Sequence, residues 1–192
     1  MKTVGVLALQ GDFAAHQAAL ERAGAESVQV REAGQLRDID GLVIPGGEST
    51  TMLKLLHYEN LLEPLVRFAR DKPVFGTCAG AILLAKEVSN PSQESFGIMD
   101  MDVERNGYGR QLDSRVAELD PEADFQKRTA PGKLEAVFIR APVIRRVGAG
   151  TKVLVRYNGD PVLVEERHHL ASTFHPELTA DSRIHRLFIE KL

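Results

Sequence analysis

Pro73-Val74-Phe75-Gly76-Thr77-Cys78-Ala79-Gly80-Ala81-Ile82-Leu83-Leu84-Ala85-Lys86 reads as a short apolar strand, a glycine-flanked turn and a helix. Cys78, the single cysteine of the chain, stands at the turn. A strand that turns sharply into a helix presents the residue at its apex, and small neighbours let the turn close against a substrate. The stretch therefore predicts a nucleophile elbow and, with it, a sheet whose strands run into helices.

Working outward, the first half alternates in the same way. Thr3–Leu9 is a continuous apolar run, as expected of a strand buried on both faces of a parallel sheet. Asp12–Ala23 has helical spacing, with Asp12 placed as N-cap and Gly24 as the stop. Ser27–Val30 and Gly41–Ile44 read as strands, the latter closed by Pro45-Gly46-Gly47. Thr50–Arg70 reads as helix divided or restarted by Pro64. This order predicts an α/β fold with a mostly parallel central sheet flanked by helices, whose ligands gather at the carboxyl ends of strands. The loops Gln10-Gly11, Pro45–Ser49 and Thr77–Gly80 then become the functional edge.

The second half changes character. Met99–Glu104, Arg115–Leu119, Leu134–Ile139, Val143–Val147, Lys152–Tyr157 and Val162–Glu165 are short strand-like runs. Asn158-Gly159 between the last two is a strong hairpin signal. These predict antiparallel additions to the sheet or a small second layer. Leu170–Phe174 reads as a last core strand, and Ala180–Leu192 as a closing helix. With no repeat, low-complexity tract or flexible linker, residues 1–192 read as one domain.

Composition narrows the classes. An apolar fraction of 43% supports a buried core, and a net charge of −3 without a basic run gives no footprint for nucleic acid. One cysteine excludes an internal disulfide framework and fits a reducing cytoplasm. The apolar N-terminal run is too short to span a membrane and lacks a signal-peptide pattern.

A thiol at an elbow needs a base, an acid and an oxyanion hole. Of six histidines, His175 stands in Phe174-His175-Pro176-Glu177, after the last core strand. Residues i and i+2 of extended backbone point the same way, which brings the Glu177 carboxylate to the far ring nitrogen. The amide of Ala79, next after the nucleophile, and that of Gly47 are the oxyanion candidates. His16, His57 and His185 fall on helices and read as surface or packing residues. His168-His169 read as strand neighbours facing opposite sides, which disfavours a metal site. Taken singly, a lone cysteine is more often a buried hydrophobe, a strand-end histidine structural and Pro-Gly-Gly a plain turn. Their coincidence carries the catalytic reading.

Six blocks together resemble a known family. They are Val6–Gly11, Pro45–Met52, Gly76–Gly80, Arg105-Asn106-Gly107-Tyr108-Gly109-Arg110-Gln111, Phe138–Pro142 and Thr173–Thr179. The elbow cysteine, glycine loop and late His-x-Glu resemble the class I glutamine amidotransferases, of flavodoxin-like fold. The full set, with Cys-Ala-Gly and Gly-Gly-Glu-Ser-Thr-Thr, resembles the glutaminase subunits of pyridoxal 5′-phosphate synthases. Arg167-His168-His169 and Gly107-Tyr108 depart from the pattern without touching the triad.

The resemblance implies hydrolysis of L-glutamine through a Cys78 thioester, with His175 and Glu177 completing the triad and no cofactor or metal. It implies glutamine contacts at Gly47, Glu48, Ser49, Arg105, Ile139 and Arg140, with the carboxylate assigned to neither arginine in particular. It further implies a (β/α)8-barrel synthase subunit as partner in a large hetero-oligomer, a docking-responsive Gln10 and a cytoplasmic setting. Two enzyme readings stand beside it: a glutaminase serving another synthase, such as imidazole glycerol phosphate synthase, and a DJ-1-like cysteine hydrolase. A third is a catalytically silent scaffold subunit.

Overall fold

The computed structural model describes residues 2–108 and 114–192. Gly109, Arg110 and Gln111, the end of the fourth block, lie outside the described residues. In chain order the first half gives β1 (Thr3–Leu7), α1 (Phe13–Arg22), β2 (Glu26–Val30), β3 (Gly41–Ile44), α2 (Ser49–Tyr58), α3 (Leu62–Asp71), β4 (Val74–Thr77) and α4 (Ala79–Leu84). The second half gives β5 (Ala85–Ser89), β6 (Met99–Glu104), β7 (Ser114–Leu119), α5 (Ala123–Arg128), β8 (Leu134–Ile139), β9 (Val143–Val147), β10 (Thr151–Tyr157), β11 (Asp160–Glu166), β12 (His169–Ser172) and α6 (Arg183–Ile189).

The central sheet has seven strands in the order β10-β11-β12-β4-β3-β1-β2. The five from β2 to β12 are parallel, and β11 and β10 continue antiparallel. Numbered along the parallel set, that order is 2-1-3-4-5, the flavodoxin-like arrangement with its crevice at the β1/β3 switch point. A three-stranded sheet, β5-β6-β9, and a pair, β7-β8, stand apart from it. The second half thus supplies both sheet additions and a separate layer. Asn158 and Gly159 turn β10 into β11 with φ of 51° and 87°, the positive pair that the hairpin signal requires.

Alternation along each strand divides the core. Val4 and Val6 face one cluster and Leu7 the other, just as Val43 opposes Leu42 and Ile44, and Phe75 opposes Val74. Helices α1 and α6 cover the first face, α2 and α3 the second. Both faces are dry, which is why these strands read as unbroken apolar runs.

Several boundaries differ from the sequence reading; the last core strand, read as Leu170–Phe174, runs His169–Ser172. β1 ends at Leu7, before Leu9. The helical stretch breaks at Glu59–Leu61, where Asn60 takes φ of 51°. Pro64 sits inside the first turn of α3, where no intrahelical bond needs its missing N–H. The elbow helix stops at Leu84 because the N–H groups of Phe96, Gly97 and Ile98 capture the carbonyls of Leu83, Ala85 and Leu84. Ala85 and Lys86 are thereby drawn into β5. The closing helix is shorter than Ala180–Leu192. Helix α5 escaped the reading because its six residues bury only Phe125, too few for periodicity to show.

Candidate active site

Cys78 occupies the turn between β4 and α4 with φ of 50° and ψ of −104°. A non-glycine residue at positive φ is strained, and here neighbouring contacts hold it there. Its N–H donates to the Ser172 carbonyl of β12 at 2.8 Å, and its carbonyl accepts from Ile82 at 3.1 Å. A Cβ on Gly80 would overlap the Ile44 carbonyl, and one on Gly76 would meet the Gly80 backbone. Small residues flank the thiol because main chain from β3 and α4 fills the space where side chains would go.

His175 and Glu177 come from the loop that leaves β12. Their geometry is closer than the sequence reading supposed, and of another kind. Pro176–Leu178 is a 3-10 turn, not extended backbone, with His175 at its start. That turn folds the Glu177 carboxylate back until Oε1 lies 2.7 Å from His175 Nδ1. The His175 N–H donates to the Val137 carbonyl of β8 at 2.8 Å, which fixes the loop from the other side. Both side chains are buried. Burial works against the imidazolium, yet hydrogen bonds to Cys78 and Glu177 outweigh it and push the His175 pKa up to about 10.

Cys78 and His175, but not Glu177, open onto a cleft of about 460 Å³, in the range of small-molecule sites. Gly47, Glu48, Ser49, Arg105, Ile139 and Arg140 all line it together with Cys78 and His175. Glu48 caps α2, accepting from Thr50 N–H at 3.2 Å and Thr51 N–H at 2.6 Å. Partial burial raises its pKa, but those bonds prevail and lower it to about 2. Arg105 reaches the same carboxylate at 3.3 Å and donates to Thr50 Oγ1 at 3.0 Å. Ser49 Oγ donates to Gln93 Oε1 at 3.0 Å. Arg140 takes φ of 46°, and the Ile139 carbonyl lies 3.9 Å from Cys78 Sγ.

Gln10 does not line the cleft. Its side-chain amide lies directly behind Gly47, where any Cβ on that glycine would strike it. Gly47 takes φ of 145°, a backbone suited to glycine. Ala79 is the first residue of α4, buried beside the thiol.

Sequence reasoning missed Asp12, Asn106 and Leu178, which also line the cleft. Asp12 is not the side-chain cap that its position suggested. Of the two roles left open for His16 and His185, surface or packing, the structure gives packing: both are fully buried behind His175 and Glu177, with His16 Nε2 3.0 Å from Thr77 Oγ1. The signal was available: His16 shares a helical face with Ala19 and Leu20, as His185 does with Ile184 and Phe188. His168 sits in the turn after β11, so its ring meets that of His169 at 4.2 Å instead of facing away. His169 Nδ1 accepts from the Val74 N–H at the opposite end of β4 from the thiol. Among the described residues, no group of three His, Cys, Asp or Glu is placed to hold a metal ion.

Similarity over nearly the whole chain, beyond the parallel sheet and the elbow alone, puts this molecule among the glutamine amidotransferases. A solved structure described as a crystal structure of glutamine amidotransferase superposes with a TM-score of 0.88 at 46% identity, covering 98% of this chain and 97% of that one. The structure of PurLQS from Thermotoga maritima shares the fold alone, with a TM-score of 0.74 at 16% identity over 98% of each chain. More particularly, the chain belongs to the SNO glutamine amidotransferase family, matched over residues 6–192. Two relatives are named pyridoxal 5′-phosphate synthase subunit PdxT. That of Solibacter usitatus is 66% identical over the whole of both chains. That of Koribacter versatilis is 54% identical over 97% of this chain and 94% of its own.

Proposed function

We propose that this chain is the glutaminase subunit of a pyridoxal 5′-phosphate synthase, acting as one domain. The observation that carries the reading is that Cys78 and His175 line one cleft while Glu177, buried behind it, holds His175 Nδ1 at 2.7 Å, so that the imidazolium is favoured between sulfur and carboxylate. Cys78 Sγ attacks the side-chain carboxamide carbon of L-glutamine, and the carbonyl π pair moves onto oxygen. The amides of Gly47 and Ala79 receive that oxyanion. As the tetrahedral species collapses, the C–N bond breaks and His175 gives its proton to the departing ammonia. The neutral ring then takes a proton from water, whose oxygen attacks the thioester carbon. The C–S bond then breaks with its electron pair returning to the Cys78 sulfur beside the protonated His175, and glutamate leaves, while Glu177 holds the ring in one orientation throughout.

Glu48, Arg105 and Arg140 supply the charges that a zwitterionic amino acid needs, an acid for its ammonium and arginine for its carboxylate. The Glu48–Arg105 pair is exchanged for those two contacts as substrate enters. Ser49 and Ile139 line the approach. Ammonia passes to a (β/α)8-barrel synthase subunit, and Gln10, packed behind Gly47, couples docking to the oxyanion loop. The names of the relatives support the choice of synthase. The chain works in the cytoplasm and needs no cofactor for this half-reaction.

Glutamine hydrolysis measured for the parent and for Cys78→Ala, each with and without the synthase subunit, tests the reading. The parent is expected to be stimulated by that subunit and the variant to be silent in both conditions. Equal rates for parent and variant would overturn the mechanism.

A further inference from the structure

The Glu177 carboxylate has two oxygens, and His175 accounts for one. The other, Oε2, is fully buried, has no hydrogen bond of ordinary length and lies 3.4 Å from His16 Nε2. His16 is itself wholly buried, and its ring touches polar atoms on both sides. Nε2 is 3.0 Å from Thr77 Oγ1, and Nδ1 is 3.2 Å from His185 Nε2. His185 Nδ1, beyond it, is buried without a partner. Three side chains from three separate elements, His16 of α1, Thr77 at the end of β4 and His185 of α6, therefore lead from Glu177 into the core.

Charge and tautomer in this chain are set by elimination. Burial, with His185 and His175 nearby, lowers the His16 pKa well below its usual value. Burial and then Arg22 lower that of His185 to about 4. Both rings are neutral near pH 7, so each carries one N–H. If His16 carried it on Nδ1, that N–H would bond His185 Nε2, and the Nε2 lone pair would face the Glu177 oxygen. His185 would then bear its own hydrogen on Nδ1, a buried donor with nothing to receive it. If His16 carries it on Nε2, the hydrogen lies toward Thr77 and Glu177, and His185 Nε2–H donates to His16 Nδ1. What is left over is an unpaired acceptor, which buried structure tolerates better than an unpaired N–H.

We infer that His16 is a positioning residue for the triad. Its Nε2–H, fixed in that tautomer by His185, is shared between Thr77 Oγ1 and Glu177 Oε2 and holds the carboxylate where Oε1 meets His175 Nδ1. Because Thr77 immediately precedes Cys78, one ring registers the triad acid against the elbow that carries the nucleophile. The role belongs to no atom that touches substrate; it acts through Glu177 and rests on the triad proposed above.

Two measurements test it. Long-range proton–nitrogen spectra of histidine-labelled protein between pH 6 and 8 should show His16 as the neutral Nε2–H tautomer, and Nδ1–H there would overturn the inference. Kinetics of glutamine hydrolysis with the synthase subunit present should separate His16→Leu from His16→Gln, since the glutamine amide restores a donor near the Nε2 position. Leu is expected to lower kcat about 30-fold with KM within about twofold, in the range found for partners that orient a site's ligating or catalytic groups. The His175 titration should move downward in the same variant. Gln should lose much less than Leu, because its amide keeps a donor near the Nε2 position. Equal losses in Leu and Gln, or a kcat loss with an unmoved His175 titration, would overturn the role. A leucine variant that does not fold leaves the tautomer of the parent as the deciding measurement. Cys78→Ala in the same assay keeps the two readings apart. If it hydrolyses glutamine at the parent rate the triad itself fails; if it is silent while His16→Leu is as fast as the parent, only the role of His16 fails.

Discussion

The elbow and the Pro45–Ser49 loop both depend on glycine, but they press against different things. A Cβ at Gly76 or Gly80 would meet main-chain atoms of α4 and β3, which cannot give. A Cβ at Gly47 would meet the end of the Gln10 side chain, which can rotate. Cys78 is therefore built into the sheet, whereas the loop across from it rests on a movable support. Fixed sulfur and adjustable loop suit a site whose chemistry is permanent but whose readiness is conditional.

Mutations can break this contrast. The largest effect belongs to the fixed side. Cys78→Ala is expected to lower glutamine hydrolysis by about 10⁴-fold or more, as for other covalent nucleophiles, while near-ultraviolet circular dichroism stays native. Next, Gly80→Ala should cost roughly 4 kcal/mol or prevent folding, because its methyl would overlap the Ile44 carbonyl. Urea unfolding of the variant measures it, and a loss below that of Gly47→Ala would reverse the comparison.

The core behind the elbow should also make stability fall in acid. His169 and His185 have folded pKa values lowered to about 4, and that of His16 is lowered well below its usual value. A group depressed in the folded state stabilises fully above its unfolded pKa and ceases to do so as pH falls through the folded one. The three should together remove about 3 kcal/mol between pH 7 and pH 5.5, before carboxylates titrate. His175 runs the other way: its pKa is raised to about 10, so its contribution is complete below about pH 6.5 and fades toward pH 10. A urea midpoint that does not change from pH 7 to 5.5 would contradict the neutral buried rings.

The smallest effect tests the movable support. Gly47→Ala should cost about 1–2 kcal/mol from its positive φ and the contact with Gln10. Adding Gln10→Ala should restore about 1 kcal/mol of that, the coupling of two residues in contact. Strict additivity in the double-mutant cycle would mean that Gln10 does not brace the loop.

What the sequence made legible was local. The elbow, the Pro-Gly-Gly strand end and the Asn158-Gly159 hairpin each carry their geometry in three to six consecutive residues, and each formed as read. Gly46 to Ser49, Cys78 and His175 gathered because they follow parallel strands of the central sheet, whereas Arg105, Ile139 and Arg140 reach the cleft from the separate strands β6 and β8. The turn bringing Glu177 to His175 was misread as extended, since Pro176 suits either backbone. Hidden altogether was what depends on packing between elements. The ring contacts of His16 with His185 exist only because α1 and α6 lie side by side on one face of the sheet. Periodicity says which face a residue takes, not which partner meets it there.

Strand β12 slots between β4 and β11, and it is the carrier of the loop that holds His175. The paired strands lie far apart in the chain; Val74 and His169, bonded across them, are 95 residues apart. Closing so long a loop costs on the order of 4 kcal/mol of chain entropy before any contact offsets it. A chain in which β12 has not docked therefore holds Cys78 without His175 beside it. The same strand also receives the Cys78 N–H, so the strained apex loses a restraint when β12 is away. The pairing that completes the parallel sheet is thus the same one that brings His175 to Cys78, so neither can be had without the other.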